Sequence, residues 1–269
     1  MLKYAKKYFT IDGYYSSFDY QWDQAFSFAG ESHNFWEIVF VVSGSTEITE
    51  DAQIYRLYEG DMVAHAPSEF HKIRSAEGTS PHVLVLSFHS NGELPENLRS
   101  GVFKLSKQER EEYQALFHRI HQFYCQPSSG CYAGQECTDS LAAFLIRLSE
   151  NYTAKEQLAS SHDSRVYIEL VDTMTQNLHA NLTLEELSKR LHISVSYIKL
   201  LFNRYAGISP KAYYGRLRCT EAIRLLQQGL SASEVSQCMN FSSPNYFSVF
   251  FKRMTGLPPA TYIRQENNQ

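Results

Sequence analysis

The spacing of apolar residues changes along this chain. Between residues 10 and 90 they fall in short β-branched and aromatic runs, WEIVFVVSG, YRLYEGDMVAHAPSEFHKI and HVLVLSFHS, separated by Gly, Pro, Ser and Asp. Runs of this kind bounded by turn formers predict an all-β region. From 105 to 155 the period becomes helical. Tyr113, Leu116, Phe117, Ile120 and Phe123-Tyr124 make one stripe, and Leu141, Phe144, Leu145 and Leu148 make a second. A Cys-, Gly- and Ser-rich loop around 125–135 separates them. The polar stretch TAKEQLASSHDSR, residues 153–165, reads as a linker.

Beyond the linker the pattern repeats itself. The segment LTLEELSKRLHISVSYIKLLFNRYAGISPKAYY begins at Leu182, and LSASEVSQCMNFSSPNYFSVFFKRMTGLPPATYI begins at Leu230. Leu187 matches Val235, Leu191 matches Met239 and Ile193 matches Phe241. After a one-residue insertion, Tyr197 matches Tyr246, Phe202 Phe251, Arg204 Arg253, Gly207 Gly256, Pro210 Pro259 and Tyr213 Tyr262. Each copy predicts helix, turn, helix, stop. Thr183 with Glu186, and Ser231 with Glu234, are capping boxes. Ser194 suits the start of one second helix, and Ser242 or Ser243 with Pro244 the other. Gly207 and Gly256 suit the ends. Residues Ser209 to Gly229 predict one long helix joining the copies, on which Arg216, Arg218 and Arg224 are either phosphate contacts or solvated charges.

Helical spacing sorts each second helix into two faces. Ile198, Leu201, Phe202 and Tyr205 turn inward, leaving Ser196, Lys199, Leu200 and Asn203 outward. In the second copy Phe247, Phe250, Phe251 and Met254 turn inward, leaving Asn245, Ser248, Val249 and Lys252 outward. Small, amide and basic side chains on a short helix suit a major groove. Asn and Ser can bond base edges, Leu200 and Val249 can touch a thymine methyl, and Lys199, Arg204, Lys252 and Arg253 can hold phosphates. A single polar helix face proves little; two matched ones argue against a plain bundle.

Composition adds an asymmetry. Of 269 residues, 43% are hydrophobic and 14% aromatic, enough for real cores, and the length suits two domains. Residues 166–269 hold 11 Lys and Arg against 7 Asp and Glu, a net of +4. The remainder holds 14 against 22, a net of −8. A basic module on an acidic one fits a DNA-binding domain joined to a sensing domain. No apolar run approaches the roughly 18 residues of a membrane span, and the N-terminus lacks a secretory pattern, so a cytoplasmic protein without membrane contact is expected. The five cysteines, Cys125, Cys131, Cys137, Cys219 and Cys238, form no disulfide framework. The first three recur every six residues, and a thiol sensor or a metal site there is the alternative to ordinary reduced cysteines. No nucleophile motif or phosphate-binding glycine loop appears, so an enzyme is not expected.

Residues from about 166 to 264 resemble the DNA-binding domain of the AraC/XylS family of bacterial transcription regulators. The matching elements are LTLEELSKRL, the pattern S-x-x-Y-I-x-x-x-F, the linker helix with RLRCTEAIRLL, and FSSPNYFS-x-FFKRMTGLPP-x-x-YIR. The resemblance implies seven helices with two helix-turn-helix motifs entering successive major grooves of promoter DNA. Leu200 and Val249 stand where many members carry longer polar or basic side chains, a departure that bears on base preference. In the N-terminal half His33-x-x-x-Glu37, Gly44, Gly60-Asp61, Pro67 and His71 resemble the cupin barrel that forms many sensor halves of this family. The resemblance thus implies a two-domain α+β protein. A cupin-like sensor occupies 1–155, with a helical segment 105–155 that packs on the barrel or makes a homodimer contact, and the DNA-binding domain occupies 166–269.

Cupin enzymes hold a metal with an H-x-H pair, a glutamate and a later histidine. Here the first position is Glu31, in Glu31-Ser32-His33. His33, Glu37 and His71 are a conceivable transition-metal set, but with one ligand missing no metal or cofactor is expected. The favoured expectation is a small-molecule pocket at Trp22, His33, Trp36, Glu37 and His71, with a sugar or related metabolite as effector. His33 and Glu37 share parity and would face one side of a continuous strand. The effector would shift the arrangement of barrel and DNA-binding domain and so alter promoter occupancy or contact with RNA polymerase. A metal-dependent cupin enzyme carrying a DNA-binding domain, or a regulator without a ligand, would fit the same residues.

Overall fold

A computed structural model describes residues 7–99, 101–126, 132–151 and 161–266. It divides into two compact units, one ending at Ser160 and one beginning at Ser161.

The first unit begins with eight strands: β1 (Phe9–Gln21), β2 (Trp36–Ser43), β3 (Ser45–Glu50), β4 (Gln53–Tyr58), β5 (Asp61–His65), β6 (His71–Ser75), β7 (His82–Gly92) and β8 (Phe103–Lys104). They form an antiparallel five-stranded sheet in the order β1-β7-β2-β5-β8 and an antiparallel three-stranded sheet in the order β4-β3-β6. Side chains alternate across a strand, and β2 shows the result. Val39 and Val41 join Val63, Val83 and Val85 of the same sheet and Ile48, Tyr55, Leu57 and Ile73 of the other in one apolar cluster. The sheets therefore face each other. They are separate ladders, so the expected barrel is an open, two-sheet one. At Gly44 the chain turns from β2 into β3 with φ +78, and a Cβ there would lie 2.8 Å from the Pro81 Cα. Only glycine fits that turn without strain.

Trp36, Ile38 and Phe40 point the other way, into a second cluster with Leu84, Leu86 and Phe88. Two helices cover this face, α1 (Lys107–Cys125) and α2 (Ala133–Asn151). A capping box of Ser106 and Glu109 starts α1. The stripes Tyr113, Leu116, Phe117, Ile120 and Leu141, Phe144, Leu145, Leu148 are buried in this cluster. Phe123 packs at the edge of this cluster and Tyr124, at the end of the first stripe, is exposed, so the buried part of each stripe is internal to the chain, packed on the sheet.

The second unit has seven helices among the described residues: α3 (His162–Gln176), α4 (Leu184–Leu191), α5 (Val195–Tyr205), α6 (Pro210–Gln227), α7 (Ala232–Cys238), α8 (Pro244–Thr255) and α9 (Pro259–Glu266). One expectation needs correction. Residues 162–165, read as linker, are the first turn of α3. Ser161 caps it by accepting from the Ser164 amide at 3.1 Å, and Asp163 lies where the helix dipole favours an anion. The rest of the expected linker, up to residue 160, lies outside the described residues, as does Cys131.

The two copies fold alike. Both capping boxes form. Leu187 and Val235 are buried beneath α5 and α8, and Phe202 and Phe251 are fully buried at matched positions. Gly256 ends α8 with φ +82, a conformation that a side chain would strain. The joining helix α6 buries Tyr213, Tyr214, Cys219, Ala222, Leu225 and Leu226.

Candidate nucleic-acid interface and buried histidine–glutamate cluster

The turn between the paired helices is built the same way twice, without glycine. His192 and Asn240 both adopt φ 53 in the left-handed region. That conformation costs an L-residue roughly 1–2 kcal/mol. What offsets it is a repeated hydrogen bond. The Ile193 amide donates to the Ser188 carbonyl at 3.1 Å, and the Phe241 amide to the Ser236 carbonyl at 2.9 Å. The next residues start the outer helices. Ser194 accepts from the Tyr197 amide and Ser243 from the Tyr246 amide, each at 3.1 Å. Ser243, not Ser242, is thus the cap of α8.

On α5, Ile198, Leu201, Phe202 and Tyr205 are buried, while Ser196, Lys199, Leu200 and Asn203 are exposed. On α8, Phe247, Phe250 and Phe251 are buried and Asn245, Val249, Lys252 and Arg253 are exposed. Ser248 is half-buried and spends its proton on the Pro244 carbonyl of its own helix, 2.9 Å away. Leu200 is 54% exposed and Val249 62%. Large apolar side chains left in water at matched positions of two helices suggest a surface that is covered in use.

Two of the arginines have partners within the chain. Arg204, on the exposed end of α5, donates to Asp163 Oδ2 at 2.9 Å, and Tyr197 donates to Oδ1 of the same carboxylate at 2.6 Å. Arg218 is neither a phosphate contact nor a solvated charge. It is buried on α6, donates to Asn181 Oδ1 at 3.2 Å and to the Met239 carbonyl, and lies 4.1 Å from the centre of the Phe241 ring. It therefore holds the turn of the second copy against the start of the first. Arg224 pairs with Glu221 on the surface of the same helix.

The first unit carries the other constellation. Strand register sets Ser87, Glu37 and His65 side by side on the inner face of the five-stranded sheet. Opposite them, register and an isolated bridge align Glu50, His71 and Glu31. The rows meet. Glu37 Oε1 lies 3.3 Å from His71 Nε2, Ser87 donates to Glu37 Oε2 at 3.0 Å, and His65 Nδ1 lies 2.8 Å from Glu50 Oε1. His65 and His71 stack at 4.2 Å, and His71 meets His33 edge-on at 4.9 Å. His33 is not on a strand continuous with Glu37, as parity suggested. It sits in the loop before β2 and stacks on Phe35, which brings its Nε2 within 4.0 Å of Glu37 Oε2.

Burial and charge set the protonation of this cluster. Burial works to raise the Glu37 pKa, but the hydrogen bond and charge of His71, with His65 and His33 behind it, hold it down at about 2. Burial works to lower His71, and Glu37 outweighs it and leaves the imidazole raised. His65, wholly buried beside His71, is lowered. Glu50 and Glu69 are both raised, chiefly by burial, with a neighbouring carboxylate adding to each.

Of the five expected pocket residues the structure brings together His33, Glu37 and His71. Trp22 stacks on Phe26 and packs on the inner apolar cluster. Trp36 is misplaced by the expectation. As the direct neighbour of Glu37 it points to the opposite face of the sheet, beneath α1 and α2, with Arg99 over its ring. His65, Glu50 and Ser87 were missed. The signal for His65 was its parity with Val63 in a short apolar strand. Of the proposed sensor thiols, Cys125 is exposed, and Cys137 is buried with its pKa pushed up by that burial.

Paired short helices of this construction, with capped and exposed outer helices, define a double helix-turn-helix protein. Residues 187–265 match the family model described as helix-turn-helix domain. Over 242 residues the chain is 26% identical to the uncharacterized HTH-type transcriptional regulator YdiP of Escherichia coli (strain K12), covering 86% of this chain and 79% of that one. Similarity to GbdR of Pseudomonas aeruginosa reaches 35% identity over 92 residues, a quarter of that regulator's length. Among solved structures, ToxT from Vibrio cholerae O395 aligns over 96% of this chain and 97% of its own, at 14% identity and a TM-score of 0.38. Residues 187–265 are thus a helix-turn-helix domain, and the relatives that resemble the chain are HTH-type transcriptional regulators. Among the described residues no helix is long and apolar enough to cross a membrane.

Proposed function

We propose that α5 and α8 read two neighbouring major-groove segments of a promoter, and that a small polar effector bound at the inner cluster of the first unit controls this reading. The observation that carries the first part is the pair of matched helix faces, each with an exposed aliphatic side chain at its centre: Leu200 with Ser196, Lys199 and Asn203, and Val249 with Asn245, Ser248, Lys252 and Arg253. Helices in successive grooves on one face of B-DNA are about 34 Å apart. The second part rests on His33, Glu37 and His71, buried polar groups that suit the hydroxyls of a sugar or related metabolite. The effector acts by binding one arrangement of the regulator more tightly than another. Homodimer formation and contact with RNA polymerase complete the reading.

The test is selection from random duplex DNA by the full-length protein at a stated salt concentration, with and without a panel of metabolites. Enrichment of two short boxes about one helical turn apart is expected. No enrichment under any condition would sink the specific-DNA reading. Enrichment that no metabolite changes would remove the effector.

A second reading of the effector site has its own observation. A groove of about 810 Å³ lies between the start of β1 and α2, with Phe9, Leu94, Ala142 and Ile146 beside Lys7 and Arg99. Glu93, Glu96, Asp139 and Glu150 also line it and outnumber the two basic groups, so it suits an apolar molecule with a neutral or cationic polar end. An Ala142→Trp variant that abolishes the effector response would favour it over the inner cluster.

A further inference from the structure

Donor atoms of Glu31, His33, Glu37 and His71 lie within 4.8 Å of one another. Separate segments bring them there. Glu31 and His71 exchange both backbone hydrogen bonds at 3.0 Å, Glu37 stands on β2, and the loop holding His33 is tied down by the Ser68 amide. The His33 and His71 side chains are only 7% and 3% exposed, and Glu37 14%. Glu31 is exposed and forms the open side.

The orientation of His33 is the second observation. Its Nδ1 lies 2.9 Å from the Phe35 carbonyl. A carbonyl oxygen can only accept, so Nδ1 carries the proton, and in the neutral ring Nε2 is a bare lone pair. That buried atom has no hydrogen-bond partner among the described residues, and it faces Glu37 Oε2, another lone pair, at 4.0 Å. Buried acceptors aimed at one another are stable only around a positive charge. A proton would serve one such pair, whereas four convergent donors serve an ion.

We infer that Glu31, His33, Glu37 and His71 bind one divalent first-row transition-metal ion, His33 through Nε2. Two imidazoles and two carboxylates suit manganese, iron, cobalt, nickel or zinc. Calcium and magnesium take all-oxygen shells, and copper(I) takes sulfur. The Phe35 carbonyl is the outer partner that fixes the tautomer of a ligating imidazole. Donors around a tetrahedral ion at about 2.1 Å stand roughly 3.4 Å apart, so the four groups close on the ion by roughly 1 Å. The glutamate that replaces the first histidine of the cupin pattern is thereby a ligand and not a gap. The inference rests on the effector reading of this cluster for its regulatory meaning, while the binding itself does not depend on promoter recognition.

The test uses the full-length protein, stripped with a chelator and titrated with Co²⁺, followed by visible d–d absorption and by metal analysis after dialysis. One equivalent per chain is expected. His33→Ala and Glu31→Ala each weaken Co²⁺ binding by about tenfold or more, since even outer-shell changes reach that size. His89→Ala, at an exposed histidine on β7 outside the cluster, leaves it unchanged. Thermal unfolding of each variant identifies a folding defect, and the exposed position of Glu31 makes Glu31→Ala the variant that keeps its fold. No absorption up to about 1 mM Co²⁺, or equal affinity in Glu31→Ala and the parent, would overturn the site. Loss of DNA selection with Co²⁺ binding intact would overturn the regulator reading instead and leave the site standing.

Discussion

The two helix-turn-helix copies share their turn, their caps and their buried phenylalanine, and they part company at two matched surface positions. In the first copy Tyr197 and Arg204 both reach back to Asp163 on α3, which braces α5 from outside. Their counterparts in the second copy, Tyr246 and Arg253, have another setting. Tyr246 is 57% exposed, and the Arg253 guanidinium lies 5.9 Å from the Phe250 ring. The second copy is held instead from inside, by Arg218 at its turn and by Phe241 packed on Phe247 and Phe250. Duplication has kept what makes the fold. It has let the same residue types serve as scaffold in one copy and as open surface in the other.

The comparison can be broken at its strongest point first. Phe202→Ala and Phe251→Ala should each destabilise the second unit by about 3–5 kcal/mol and by similar amounts, as both rings are fully buried. Denaturant unfolding of the two variants checks this, and a large inequality would mean that the copies are not structural equals. Next in size is Arg218→Ala, which removes charged hydrogen bonds and a ring contact. It should cost about 2–3 kcal/mol and raise amide hydrogen exchange around Met239 and Phe241 above that around His192.

Smaller effects sharpen the asymmetry. Asp163→Ala breaks a partly exposed ion pair worth about 1 kcal/mol or less. It releases Arg204 toward DNA, so the salt dependence of binding should steepen, by about one unit of slope once that arginine holds a phosphate. Arg253→Ala should flatten the slope by about the same unit, whereas Arg204→Ala in the parent should change it less. Equal slopes for the two arginine variants would erase the distinction. Leu200→Ala and Val249→Ala should leave stability within about 0.5 kcal/mol, and their effect should appear only as relaxed preference for thymine in random-site selection.

Much of this was legible because it is local. The helical period, the capping boxes at Thr183 and Ser231, and the faces of α5 and α8 depend on residues within a few positions of each other. What was not legible depends on register or distance. Strand β1 was not singled out, since its pairing with β7 shifts between Ile11 and Gly13 and again between Tyr14 and Ser16, and each shift interrupts the alternation that marks a strand. Strand β3, Ser45–Glu50, reads as polar but is buried throughout, because it is the middle strand of its sheet. Trp36 and Glu37 share one expected pocket, but neighbours in a strand point to opposite faces. His65 and Glu50 join the cluster only through cross-strand pairing, and Arg218 is buried by a turn 21 residues further along the chain.

Leu200 and Val249 have one further consequence. Both hold hydrocarbon in water until the helices meet a surface, so association must strip that water away. Complex formation should then show a negative change in heat capacity, and the affinity should pass through an optimum as temperature rises instead of declining steadily.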